Sequence, residues 1–165
     1  MTAAVLLDTS YLISLVDATR PNHQIATRYF RQMLDESLPI YFSAVVAAEF
    51  GIKQALTDLP LQKFRHLPFN IPHGQRAAQL WNALGPRGDG TGRAVARDDI
   101  KLIAQACHER IPFVLNEDAS SLHKYCERLR EAGVCQVRSI VLASGYDPAA
   151  FRMDGQQGFD LSGEP

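Results

Sequence analysis

The stretch Ala3-Ala4-Val5-Leu6-Leu7-Asp8-Thr9-Ser10 decides how the rest of the chain is read. A short unbroken apolar run, Val5 to Leu7, reads as a strand buried on both faces, the kind found in the middle of a parallel sheet. It runs straight into a carboxylate and two hydroxyls, and Leu12, Ile13, Leu15 and Val16 follow at helical spacing. Asp8 is thereby placed at the carboxyl end of a central strand, where ligands collect in open α/β sheets. A competing reading needs only local structure, because Asp, Thr and Ser are favoured N-caps and Asp8 or Ser10 could simply open the next helix.

Three more acids recur at comparable places. Leu38 to Ser43 reads as a short strand ending in a hydroxyl, and a helix is predicted from Ala44 to about Thr57. Its apolar stripe is Val45, Ala48, Ile52 and Leu56, with Glu49 inside it. Desolvating an ionised carboxylate costs several kcal/mol unless it is paired or coordinated, so Glu49 needs a partner charge or a cleft. The alternative is a stripe that stops at Ala48 and leaves Glu49 exposed. Asp98-Asp99 is predicted to start a helix running to about Glu109. Asp99 heads the apolar face with Leu102, Ile103 and Ala106, while Asp98 shares a face with Lys101 and Gln105 and points outward as a cap would. Ile111 to Leu115 is another apolar strand running into acids, Asn116-Glu117-Asp118.

The remaining segments supply packing. Pro21 is placed to open a helix whose pattern spans His23 to Leu34. Pro60 to His66 reads as a short helix, and His66 to Ile71, with Pro68 inside it, as an edge segment. A helix follows from about His73 to Leu84; His66 and His73 lie in no metal-ligand spacing with a second His and read as surface or capping residues. Gly85 to Gly92, with four glycines in eight residues, reads either as a mobile connection that leaves Arg87, Arg93 and Arg97 available to phosphates or as a plain solvated loop. It contains no phosphate-binding P-loop pattern. Ala119 to Ala132 is amphipathic and stopped by Gly133, and Gln136 to Leu142 is a last apolar run. One domain is expected over residues 1–147, with 148–165 a tail that is poorly ordered or ordered by a partner.

A chain of 165 residues with 46% hydrophobic and 21% charged residues suits one soluble globular domain. No apolar run approaches the ~20 residues that cross a bilayer, and the start lacks a basic region, so neither membrane span nor signal peptide is expected and the cytoplasm is the natural compartment. The net charge of −1 offers no whole-chain attraction to nucleic acid; phosphate binding has to rest on local patches or metal ions. Cys107, Cys126 and Cys135 show no C-x-x-C spacing, which argues against a thiolate zinc site and for reduced, structural thiols.

If Asp8, Glu49, Asp99 and Asp118 share a pocket, they repel one another and raise each other's pKa unless a cation sits among them. Oxygen ligands without Cys or His select Mg²⁺ or Mn²⁺ over zinc. Such an ion orients a water, lowers its pKa and offsets charge building on a phosphate, so metal-assisted phosphodiester hydrolysis is the reaction class suggested. Thr9, Ser10 and Asn116 can orient the carboxylates. A phosphohydrolase with Asp8 as nucleophile is disfavoured by the lack of a suitably placed Lys.

The sequence also resembles the PIN-domain ribonucleases, especially the VapC-like toxins of type II toxin–antitoxin systems. The matching pieces are Leu6-Leu7-Asp8-Thr9-Ser10, Ser43 with Glu49-Phe50, Asp99-x-x-Leu102-Ile103-Ala104-x-Ala106, and Val114-Leu115-Asn116-x-Asp118. The resemblance implies a three-layer α/β fold whose parallel sheet has the order 3-2-1-4-5. It implies an Mg²⁺ site of Asp8, Glu49, Asp99 and Asp118 assisted by Ser10, RNA as substrate, frequent dimerisation and an antitoxin partner. Two departures stand out: Asn116 where the family usually has Thr or Ser, and Asp98 beside Asp99, which leaves the third acid ambiguous by one residue. A non-catalytic PIN-like module binding RNA or protein is the alternative.

Overall fold

Strand β1 (Val5–Leu7) is completely enclosed, all three side chains having no exposed surface. It pairs in parallel with β2 (Ile40–Ser43) on one side, Val5 opposite Ile40, and with β4 (Phe113–Asn116) on the other, Leu7 opposite Leu115. β3 (Arg65–Leu67) extends the sheet beyond β2, and β5 (Arg138–Val141) beyond β4. The order is therefore β3-β2-β1-β4-β5, all parallel, as the resemblance implies. The computed structural model describes residues 2–86 and 92–153.

Parallel neighbours need long crossovers, and helices supply them. Among the described residues these are α1 (Thr9–Val16), α2 (His23–Asp35), α3 (Ala44–Lys53), α4 (Ile71–Leu84), α5 (Arg93–His108) and α6 (Leu122–Glu131). The largest fully buried side chains include Tyr11, Tyr29, Phe50, Phe113 and Tyr125, which fill the space between sheet and helices. Among the described residues no helix is long and apolar enough to cross a membrane.

The structure moves several element boundaries. The α3 stripe is not the one the spacing predicts: Ile52 is 86% exposed and Ala48 is exposed, whereas Val46 and Phe50 are buried. Ser43 caps the helix and sets its rotation, so the i, i+4 pair Val46/Phe50 faces inward; the helix ends at Lys53, and Leu56–Asp58 form a separate 3₁₀ turn. Helix α5 begins at Arg93 rather than at Asp98-Asp99, because Ala96, fully buried, carries the Ile100/Ile103 face back by a turn. Asp99 thus lies inside the helix, where no backbone N–H needs its carboxylate. β3 precedes Pro68 instead of containing it, and residues 61–63 form only a 3₁₀ turn where a short helix to His66 is predicted. α6 starts at Leu122, three residues later than predicted.

The packed domain also extends past residue 147. Phe151 is buried, its ring 5.6 Å from that of Tyr29 and 5.8 Å from that of Phe113. Residues 154–165 of the expected tail, and residues 87–91 of the Gly85–Gly92 connection with Arg87, lie outside the described residues.

One buried polar tie positions the sheet end. Ser43 Oγ accepts from the Val45 N–H at 3.1 Å and donates to Gln105 Oε1, and Gln105 Nε2 donates to the Pro68 carbonyl at 3.1 Å. Both side chains are fully buried, so removing one partner strands the other. Gln105→Ala is expected to cost about 2–3 kcal/mol, read as a lower urea midpoint with an unchanged slope.

Candidate metal centre

The first acid is fixed from three directions. The Asp8 N–H donates to the Leu115 carbonyl at 2.9 Å, which ties the exit of β1 to the adjacent β4. Asp8 Oδ2 accepts from the Ser10 N–H at 3.2 Å and from Ser10 Oγ at 2.5 Å, and Ser10 Oγ in turn accepts from the Glu117 N–H at 3.0 Å. Asp8 is therefore the N-cap of α1, as the competing reading had it. One carboxylate oxygen suffices for that, and the capping bonds fix the orientation of the other.

Thr9 Oγ1, on α1, donates to Glu49 Oε2, on α3, at 2.6 Å. Glu49 sits at the margin of the buried Val46/Phe50 face and is half-buried, so it needs neither a fully enclosed partner nor full exposure. Asp99 is the third acid: the charges of Asp8 and Glu49 act on it, but the three do not bring their carboxylate oxygens within 4.8 Å of one another. Burial is the main force pushing the Asp99 carboxyl up to about 7; a hydrogen bond from Ser121 opposes this, and the charges of Asp8, Glu49 and Asp98 add to it. Burial likewise raises Asp8, against the Ser10 hydrogen bonds and with a further push from Glu49. Asp8 keeps some accessible surface, but its closely packed surroundings desolvate the carboxylate.

Asp99 Oδ2 is buried with no hydrogen-bond partner in the protein. Native structures leave few such atoms unpaired, and a buried carboxylate oxygen with no donor, in a group that neighbouring carboxylates also repel, is one that a cation satisfies. Among the described residues no ion pair reaches Asp8, Glu49 or Asp99. The donor set is all oxygen, which suits a hard divalent ion.

Asp98 lies 3.6 Å from Lys101 Nζ on the outer side of α5. Asp118 stands apart. It is exposed, and its Oδ1 accepts from the Ser120 N–H at 2.9 Å and from Ser120 Oγ. The structure shows no contact between it and the other three acids. Asn116, nearly fully buried, donates from Nδ2 to the Asp118 carbonyl and accepts at Oδ1 from Ser139 Oγ at 2.5 Å, holding the loop that carries Asp118 against β5.

Glu117 was not singled out from the sequence, yet it shapes the site's edge. Its carboxylate accepts from Ser14 Oγ at 2.8 Å and pairs with Arg20 at 3.1 Å, and its N–H holds Ser10. The one available signal was its position directly after a strand.

A second cluster lies elsewhere. His73, His108 and Glu109 bring ligand atoms within 4.8 Å of one another, although neither His73 nor its neighbours show metal-ligand spacing in sequence. His73 Nδ1 accepts from the Asn70 N–H at 3.1 Å, so Nε2 carries the proton and donates to Glu109 at 2.6 Å. Both ring nitrogens are used, and His73 is fully buried as half of the capping box of α4. It caps, as predicted, but not at the surface.

No family model matches the chain, and no curated protein matches it. Solved structures do. FitAcB from Neisseria gonorrhoeae superposes with a TM-score of 0.58 at 19% identity, covering 88% of this chain and 99% of that one. VapBC2 from Rickettsia felis, bound to a DNA fragment from its promoter, gives 0.57 at 13% identity, covering 83% and 98%. VapC20 from Mycobacterium tuberculosis, a toxin that cleaves the sarcin–ricin loop, gives 0.53 at 17% identity, covering 82% and 99%. At these identities the likeness is one of fold, and the chain has the PIN-like α/β fold that it shares with the FitAcB, VapBC2 and VapC20 structures.

Proposed function

We propose that the chain is an endoribonuclease dependent on Mg²⁺ or Mn²⁺, acting in the cytoplasm as the toxin of a toxin–antitoxin pair. The observation that carries this is the buried, unpartnered Asp99 Oδ2, in a carboxyl group on which the charges of Asp8 and Glu49 also act. When bound, the ion supplies charge stabilisation at the scissile phosphate and lowers the pKa of a water. Asp8, Glu49 and Asp99 hold it, and Asp118 joins them if its loop turns from Ser120 toward the site. Ser10 and Thr9 fix the first two carboxylates through the bonds described above. RNA is the substrate in this reading, an antitoxin protein the inhibitor and a second copy of the chain the partner in a homodimer. Exposed apolar side chains at Ile52, Ile71 and Val95 give such partners something to cover.

The test is cleavage of labelled RNA by the purified chain with Mg²⁺, Mn²⁺ or a chelator. Cleavage at internal bonds that chelation stops is expected; RNA binding without cleavage under any condition would favour a non-catalytic PIN-like module. Thr9→Val is expected to weaken divalent-ion binding by about tenfold, because partners that orient a ligand are worth roughly 10–100-fold, and calorimetric titration with Mn²⁺ reads this directly.

A further inference from the structure

The sequence reading treats the cysteines as structural, but the fold brings two of them together at the opposite end of the sheet from Asp8. A cavity of about 500 Å³ opens where β4 and β5 begin, lined by Arg76, Cys107, Arg110, Phe113, Cys135 and Arg138 among others. Cys107 lies in the last turn of α5 and is half-exposed; Cys135 lies between α6 and β5 and is buried. Both line this one cavity, close enough for each thiol to perturb the ionisation of the other.

We propose that Cys107 and Cys135 are a thiol–disulfide exchange pair, Cys107 attacking and Cys135 resolving, in a pocket that admits a small disulfide bearing carboxylates. The ligand class follows from the lining: three guanidinium groups around a largely apolar cavity suit an anionic molecule with an apolar disulfide centre. The Cys107 thiolate attacks one sulfur of the disulfide, forming a mixed disulfide and releasing one thiolate. Cys135, giving up its proton to the departing group, then attacks Cys107 Sγ; the intramolecular disulfide forms and the second thiol leaves. The small disulfide is the oxidant and is reduced to two thiols.

The division of labour follows from surroundings. Cys107 is the more exposed of the two and so meets an incoming disulfide first, and the Cys135 thiol and the Arg76 charge lower its pKa against the opposing effect of burial, while the Cys107 thiol and burial raise that of Cys135. Cys126 is buried, and its thiol is pushed up by burial, so it serves as an internal control.

The full chain is treated with glutathione disulfide, alkylated and mapped by mass spectrometry, with cystamine as a cationic comparison. Expected are a peptide pair joined through Cys107 and Cys135, reversal by dithiothreitol, and at least about threefold slower reaction with cystamine. Cys135→Ser is expected to stop at a glutathione adduct on Cys107, and Cys107→Ser to give neither product. An adduct on Cys107 that persists in the unmodified chain, no joined peptide at all, or faster reaction with cystamine would overturn the proposal. The first readouts need no variant, so a substitution that impairs folding leaves the test intact.

Discussion

Asp8→Asn is expected to reduce RNA cleavage by at least about a hundredfold while leaving the fold in place. The substitution removes a charge and almost nothing else. Asn is as good an N-cap as Asp, so the bonds from the Ser10 N–H and Oγ that open α1 survive. The backbone link from Asp8 N–H to Leu115 is untouched, and with it the seam between β1 and β4. What is lost is the negative charge that acts on Glu49 and Asp99. Residues that merely orient a metal ligand are worth roughly 10–100-fold, which sets the lower bound for a ligand itself. Cleavage assays on Asp8→Asn beside Asp118→Asn separate two versions of the site. With Asp118 held by Ser120 and exposed, its substitution is expected to cost less than that of Asp8. An equal loss would mean the Asn116–Ser121 loop moves inward when the site is filled. Undiminished cleavage by Asp8→Asn would remove the site from the protein's chemistry.

How much of this was legible in sequence depended on whether the signal was local. Val5-Leu6-Leu7-Asp8 declared a central strand and its ligand end, because a strand enclosed on both faces has no room for alternation. The strand order was not legible from periodicity; pairing is a tertiary choice, and only the resemblance carried it. The α3 stripe is ambiguous in sequence because Val45, Val46, Ala47, Ala48 and Ile52 offer two overlapping apolar faces, of which the fold buries the one carrying Val46 and Phe50. The start of α5 was set too late because Asp98-Asp99 looks like a cap, whereas Gly92 and Ala96 begin the helix earlier. That error mattered: an acid at a helix start satisfies backbone N–H groups, while one inside the helix is left to its neighbours. The His73–Glu109 bond and the meeting of Cys107 and Cys135 at one cavity join residues far apart in the chain, and no spacing rule reaches them.

Without a divalent ion the protein is expected to lose stability as the pH rises from about 4 to about 7, and Asp99→Asn to abolish most of that loss. The direction follows from proton uptake. Asp99 has an ordinary carboxyl value of 3.8 when unfolded and about 7 when folded, so across this interval the native state holds a proton that the unfolded state has released. Stability falls wherever the native state binds more protons, here over the window between those two values. Asp8, raised in the same way by burial, adds to the slope with the same sign. At 1.36 kcal/mol per unit, the Asp99 contribution approaches about 4 kcal/mol at the alkaline end, reduced by whatever the packing relaxes. Asn at position 99 carries no charge to desolvate, so in a chelator at pH 7.5 the Asp99→Asn chain is expected to melt above the unmodified one. A divalent ion closes that gap, since it stabilises only the chain that binds it, by about 2.7 kcal/mol at a hundred times its Kd and about 4.1 kcal/mol at a thousand times. Urea titrations at pH 4.5 and 7.5, with chelator and with Mn²⁺, give all four values. If the unmodified chain in chelator is as stable at the higher pH as at the lower, Asp99 is not a buried unpaired charge, and the main physical support for a cation among these carboxylates is gone.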